Sequence, residues 1–125
     1  NWPTDGEIDI FEVPNWNRAR VLNNTHNTSR NIGSGNWTTI DATQWHTYAV
    51  EWLPTRITFY IDGVKSHEVT NPAYIPSTSI MHLALQMDAS CGWVDCPNLN
   101  TPLNTLMQVD SVRVYAYDPL SGLAP

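Results

Sequence analysis

Trp2-Pro3-Thr4-Asp5-Gly6-Glu7-Ile8-Asp9-Ile10-Phe11-Glu12 is the stretch on which the reading of this chain turns. It sets Glu7, Asp9 and Glu12 among the apolar neighbours Ile8, Ile10 and Phe11. In a β-strand successive side chains alternate faces, so Glu7 and Asp9 share one face while Ile8 and Ile10 point the other way. Strict alternation would send Glu12 to the apolar side. A β-bulge at Ile10-Phe11 restores the parity and brings Glu12 back beside Asp9. With that extra residue, Glu7 and Glu12 stand about four strand steps apart, ~13 Å between Cα atoms. Side chains leaning inward by ~4 Å each bring the two carboxyl groups to ~5–6 Å.

That separation carries a chemical expectation. Two carboxyls at ~5–5.5 Å support a retaining double displacement at a sugar's anomeric carbon, whereas ~6.5–9.5 Å is needed to admit a water and invert. One glutamate must be ionised to attack. The other must hold a proton for the leaving oxygen and then take one from water. Asp9, between them, would orient the nucleophile and raise the pKa of the acid, and the three would titrate as a coupled set. Taken blind, E-x-D-x-x-E also fits a solvated acidic strand face. The residues around it decide between the two.

The whole segment resembles the signature of glycoside hydrolase family 16, in its laminarinase-like branch, which reads Trp-Pro-x-x-Gly-Glu-Ile-Asp-Ile-x-Glu. The resemblance continues through Trp45-His46-Thr47-Tyr48-Ala49-Val50-Glu51-Trp52, Arg56 to Gly63, and Val109-Asp110-Ser111-Val112-Arg113-Val114-Tyr115. It implies Glu7 as nucleophile, Glu12 as acid/base and Asp9 as the assisting carboxylate. It also implies an all-β fold, an antiparallel β-sandwich of the concanavalin A-like jelly-roll type. The longer, bulged catalytic strand looks unlike that of the lichenases and xyloglucan transferases. The activity implied is that of a retaining endo-glycosidase cleaving internal β-1,3 or mixed β-1,3/1,4 glucan linkages. A same-fold transglycosylase or galactanase, and a β-glucan-binding lectin-like module without activity, are the alternatives.

The chain has 125 residues, 42% of them hydrophobic, which suits a packed core. All-β sandwiches often run to ~200–250 residues, and in the family the catalytic strand falls near the middle. The expectation is therefore that residues 1–117 form the C-terminal half of a jelly roll, with 118–125 as a tail, and that a further N-terminal half, on the same or a second chain, is needed. The formal charge of −6 argues against nucleic acid and anionic membranes and is compatible with a neutral polysaccharide. No run of ~18 apolar residues is present for a membrane span.

Cys91 and Cys96, five apart in a loop with Gly92 and Pro97, suit a local disulfide, with two free thiols as the alternative. Three sequons, at Asn23, Asn27 and Asn36, mark candidate N-glycosylation sites and, with the cysteine pair, point to a secreted, extracellular protein. Strands are expected over Arg20 to His26, Trp45 to Trp52, Ser79 to Met87 and Leu106 to Tyr117. Asn27 to Thr43, rich in Asn, Ser, Thr and Gly, reads as loop with at most one weak strand. Arg56 to Ile61 and Val64 to Val69 flank Asp62-Gly63, the composition of a two-residue type I′ hairpin turn.

Further site residues follow from the resemblance. His26 matches a family histidine near the substrate, or is a surface histidine. Gln86 matches an amide that contacts sugar hydroxyls. Asp110 matches a ligand of a structural calcium, while the chemistry itself needs no cofactor. Trp2 and Trp93 are candidates for stacking on pyranose rings, or half-buried aromatics. Asp88 to Trp93 departs from the family's usual Ala-Val-Gly-Gly, which leaves substrate preference open at that loop.

Overall fold

The computed structural model describes residues 1–14, 17–27, 30–76, 80–89, 91–92 and 94–118. Among them the regular elements are β1 (Glu7–Glu12), β2 (Arg20–Asn27), β3 (Ile32–Gly33), β4 (Asn36–Thr39), β5 (Tyr48–Leu53), β6 (Arg56–Ile61), β7 (Val64–Val69) and a single 3₁₀ turn at Pro72–Tyr74. They form two antiparallel sheets. In one, β2 is central, with β1 on one side and β3 and β4 on the other. The second sheet runs β5-β6-β7.

β3 and β4 behave as one interrupted strand. The pairs Asn27 with Ile32, His26 with Gly33, Asn23 with Asn36 and Leu22 with Trp37 keep a single register along β2. The Thr25 N–H to Ser34 carbonyl bond, 3.1 Å, bridges the gap between them. That same register sets Gly35 opposite Asn24. The segment expected to be loop thus contributes two short strands, Ile32–Gly33 and Asn36–Thr39, to the sheet.

The core lies between the sheets. Ile57, Phe59, Val69 and Ile75 form its centre, with Ile8, Val50 and Tyr74 packed against them. Alternation explains the choice: Ile8 pairs with Thr25, and Phe59 pairs with both Val50 and His67, so each set shares the face turned inward. The Asp62-Gly63 turn forms as expected, with φ of 51° and 77°. β5 begins at Tyr48 rather than Trp45 because Asp62 intervenes. Its carboxylate accepts from the Thr47 N–H at 2.9 Å and from His46 at 2.7 Å while its own N–H donates to the Thr47 carbonyl at 2.9 Å, so residues 46 and 47 cap the hairpin turn. His46, its other nitrogen on the Asp41 carbonyl at 2.9 Å, is a structural histidine.

Two expected strands do not form. Residues 80–89 and 102–117 belong to no regular element, and no strand pairing involves them among the described residues. Ile80, Leu83, Leu85, Leu106, Val112 and Val114 stand exposed. Apolar alternation marks a surface suited to half-burial, but a strand exists only where a neighbour supplies the ladder bonds. The cysteines do pair: Cys91 and Cys96 are disulfide-bonded, with Cα atoms 4.4 Å apart.

Candidate active site

The bulge is where the sequence places it. β1 pairs with β2 as Glu7 with His26 and Asp9 with Asn24, and then the register slips by one so that Glu12 meets Leu22. Directly opposed residues share a face. Glu7, Asp9 and Glu12 therefore stand on one side of the sheet with His26, Asn24 and Leu22, while Ile8 points into the core.

A buried asparagine holds the bulge. A bulge releases a backbone carbonyl from the ladder, and a buried carbonyl needs a donor. Asn23, fully buried, donates from Nδ2 to the Ile10 carbonyl at 2.5 Å and accepts the Ser66 hydroxyl at Oδ1, 2.7 Å away. One side chain thus ties the bulge on β1 to β7 in the other sheet. This corrects the sequon reading at Asn23, since the fold leaves no room for a glycan on that nitrogen. The other two sequon amides are also engaged. Asn27 Nδ2 donates to the carbonyls of Ala73 and Ile75, and Asn36 Nδ2 to that of Ser66 at 2.9 Å.

Each carboxyl sits in a different environment. Asp9, its side chain 13% exposed, has a pKa pushed up to about 8 by burial first, then by the charges of Glu12 and Glu7 and a hydrogen bond to Glu7. It is a proton donor at neutral pH. Glu12 is also held above its ordinary value, chiefly by burial and further by Glu7, with His26 acting the other way. Glu7 accepts from the Trp2 indole N–H at 2.5 Å as well as from Asp9. Trp2 was expected as a stacking platform. Trp2 is 62% exposed, yet its indole also latches the proposed nucleophile.

His26 is fixed by its neighbours. The Thr25 N–H donates to Asn24 Oδ1 at 2.9 Å, which turns Asn24 Nδ2 toward His26 Nε2, also at 2.9 Å. Nε2 then accepts, and Nδ1 carries the proton to Asn31 Oδ1 at 2.7 Å. Asp9 Oδ2 lies 3.3 Å from Nε2 but is left without a hydrogen-bond partner. Glu7, Asp9 and His26 each offer an atom within 4.8 Å of the others, a spacing that a cation could bridge. With the imidazole lone pair taken by Asn24 and Asp9 protonated near neutrality, the set as it stands suits proton sharing instead.

Two other expected residues, Gln86 and Asp110, make no contact with the carboxyls among those the structure describes. Gln86 is exposed in a segment without regular structure. Trp93 lies outside the described residues. Asp110 is exposed and joins no group of three possible His, Cys or carboxylate ligands among the described residues. Asn23, Asn24 and Asn31 went unread as site supports. The available signal was composition, because asparagine is depleted in strands and β2 carries three.

Two antiparallel sheets with three neighbouring carboxyls on one face give a β-sandwich architecture with an acidic cluster on its first strand. Residues 1–95 match the family model "Glycosyl hydrolases family 16", and the chain belongs to that family. Among curated relatives it is 30% identical to a keratan-sulfate endo-1,4-beta-galactosidase of Sphingobacterium multivorum, over 91% of this chain and 29% of that protein. It is 26% identical to a beta-glucanase of Rhodothermus marinus, over 93% of this chain and 46% of that protein. The chain thus spans less than half the length of either relative. Among solved structures, a non-specific endo-beta-1,3(4)-glucanase of the same family superposes with a TM-score of 0.55 at 28% identity, covering 63% of this chain and 34% of that one. LamAcat from Zobellia galactanivorans gives 0.55 at 26% identity over the same shares.

Proposed function

We propose that this chain carries the catalytic face of a retaining endo-glycoside hydrolase acting on internal β-1,3 or mixed β-1,3/1,4 linkages of a β-glucan. The observation that carries the reading is the bulge, which puts Glu12 on the face of Glu7 and Asp9. Glu7, oriented by Trp2 and Asp9, attacks the anomeric carbon. Glu12, whose pKa is held above its ordinary value by burial first and then by the charge of Glu7, protonates the leaving oxygen and afterwards takes a proton from the attacking water. Asp9 acts as the proton-bearing spacer that lets two glutamates of opposite protonation stand side by side.

The β-glucan reading rests on the glucanases named among the similar proteins. A galactan-directed relative is the second reading, favoured by the 30% identity to a keratan-sulfate endo-galactosidase. Secretion is supported by the Cys91–Cys96 disulfide, which suits an oxidising compartment. The apolar side chains exposed between residues 80 and 117 support a working sandwich with further strands over them.

Two variants test the chemistry in the full-length protein. Glu7→Gln should abolish turnover of every substrate. Glu12→Gln should slow hydrolysis of polysaccharide far more than that of an aryl glycoside whose leaving group needs no proton. Equal losses on both substrates for Glu12→Gln would remove it as the acid. Mass analysis of products from a panel of β-glucans and galactans separates the two substrate readings.

A further inference from the structure

The register that assembles the carboxyls also says what lies beyond them. Three rows cross the sheet on the catalytic face: Glu7, His26, Gly33; Asp9, Asn24, Gly35; and Glu12, Leu22, Trp37. The first two rows end in glycine. Nothing larger fits there, because a Cβ on Gly33 would meet the Thr25 carbonyl oxygen at 1.7 Å and one on Gly35 would meet Asn24 Oδ1 at 2.9 Å. The rows holding Glu7 and Asp9 therefore run out into a gap without side chains at Gly33 and Gly35, between Asn31, which meets His26 Nδ1, and Trp37. Trp37 closes that gap on one side. It is 40% exposed, and the Arg20 guanidinium lies over its ring, 4.2 Å from the centroid. Arg20 alternates onto the same face as Leu22, so it backs the indole from the side away from the glycines. Trp37 and Glu12 are two strand spacings apart, ~9–10 Å, within reach of a single oligosaccharide.

We propose that Trp37, backed by Arg20 and opened toward the carboxyls by Gly33 and Gly35, is an outer sugar platform that stacks on a pyranose ring of the same chain being cleaved. The inference rests on the proposed glycosidase reading and extends it from the reacting bond to the binding of a neighbouring sugar. An indole presents a flat apolar surface to the C–H face of a pyranose, and the cation above it holds the ring in place. Arg20 here is a positioning residue.

The test uses the full-length protein with Trp37→Ala, Trp37→Leu and Trp37→Phe. A platform predicts that Trp37→Ala and Trp37→Leu lose about tenfold more kcat/KM on polymeric glucan than on a short aryl glycoside, and that Trp37→Phe recovers most of the loss. A residue that merely fills space predicts that Leu recovers it as well as Phe, which would overturn the proposal, as would equal losses on both substrates. If the parent protein cleaves neither substrate, the glycosidase reading fails separately. Trp37 is then judged by calorimetric titration with a laminari-oligosaccharide series, where loss of the affinity gained with chain length in Trp37→Leu supports the platform. Unchanged affinity across the series, or no binding by the parent protein, overturns it.

Discussion

At Asp9 a single residue shows how burial and neighbouring charge distribute protons in this site. Its folded pKa, about 8, stands far above the ordinary 3.8. Between those values the folded chain holds a proton that the unfolded chain has lost, so this residue makes stability fall as pH rises through that window. Asp9→Asn carries no charge at any pH. In urea titrations the parent protein should lose more stability than Asp9→Asn between pH 5 and pH 8.5. Parallel losses would contradict the raised pKa. Trp2 permits a sharper substitution. Trp2→Phe keeps an aromatic ring but removes the donor to Glu7. Hydrogen bonds to charged groups are worth about 1.5–3 kcal/mol, so kcat should drop roughly 10- to 100-fold. A change in KM alone would return Trp2 to a purely stacking role.

One strand irregularity governs the geometry at the scale of elements. The bulge in β1 moves Glu12 to the working face, and Asn23 is the side chain that satisfies the carbonyl it frees. Asn23→Ala would leave the Ile10 carbonyl and the Ser66 hydroxyl without their partner. It should cost about 2–3 kcal/mol in chemical denaturation and lower kcat through displacement of Glu12. Asn23→Asp, which turns an acceptor toward that carbonyl, should be at least as damaging. Normal activity in either variant would show that the bulge holds itself. The bulge was legible in the sequence because a parity argument needs only local spacing, and the Asp62-Gly63 hairpin was legible for the same reason. Asn23 was not. Its Asn-Asn-Thr context reads as a sequon, and the partner that explains it is 43 residues away, at Ser66.

Over the whole molecule, stability concentrates where the two sheets meet. Phe59 is fully buried at that seam, so Phe59→Ala should cost about 3–5 kcal/mol, read from the urea midpoint. The expected strands beyond Pro76 show the limit of sequence reading. Leu106 to Tyr117 has the apolar alternation of a strand, but its side chains stand exposed and unpaired in the sheet sense. Alternation records what a surface would prefer to cover and is silent on whether a neighbour is present to cover it. In the 125-residue chain alone, backbone amides of residues 103–117 should accordingly exchange with deuterium orders of magnitude faster than those of β6. Protection equal to that of β6 would mean that they are paired after all.

The account depends on Glu7 and Glu12 facing one sugar from the same side of a bulged strand. The most direct measurement is mechanism-based labelling of the full-length protein with an activated 2-deoxy-2-fluoro β-glucoside, followed by peptide mass mapping. A single glycosyl adduct on Glu7, absent from Glu7→Gln, is the predicted result. An adduct on Asp9 or Glu12, or glucan cleavage with no adduct at all, would contradict it.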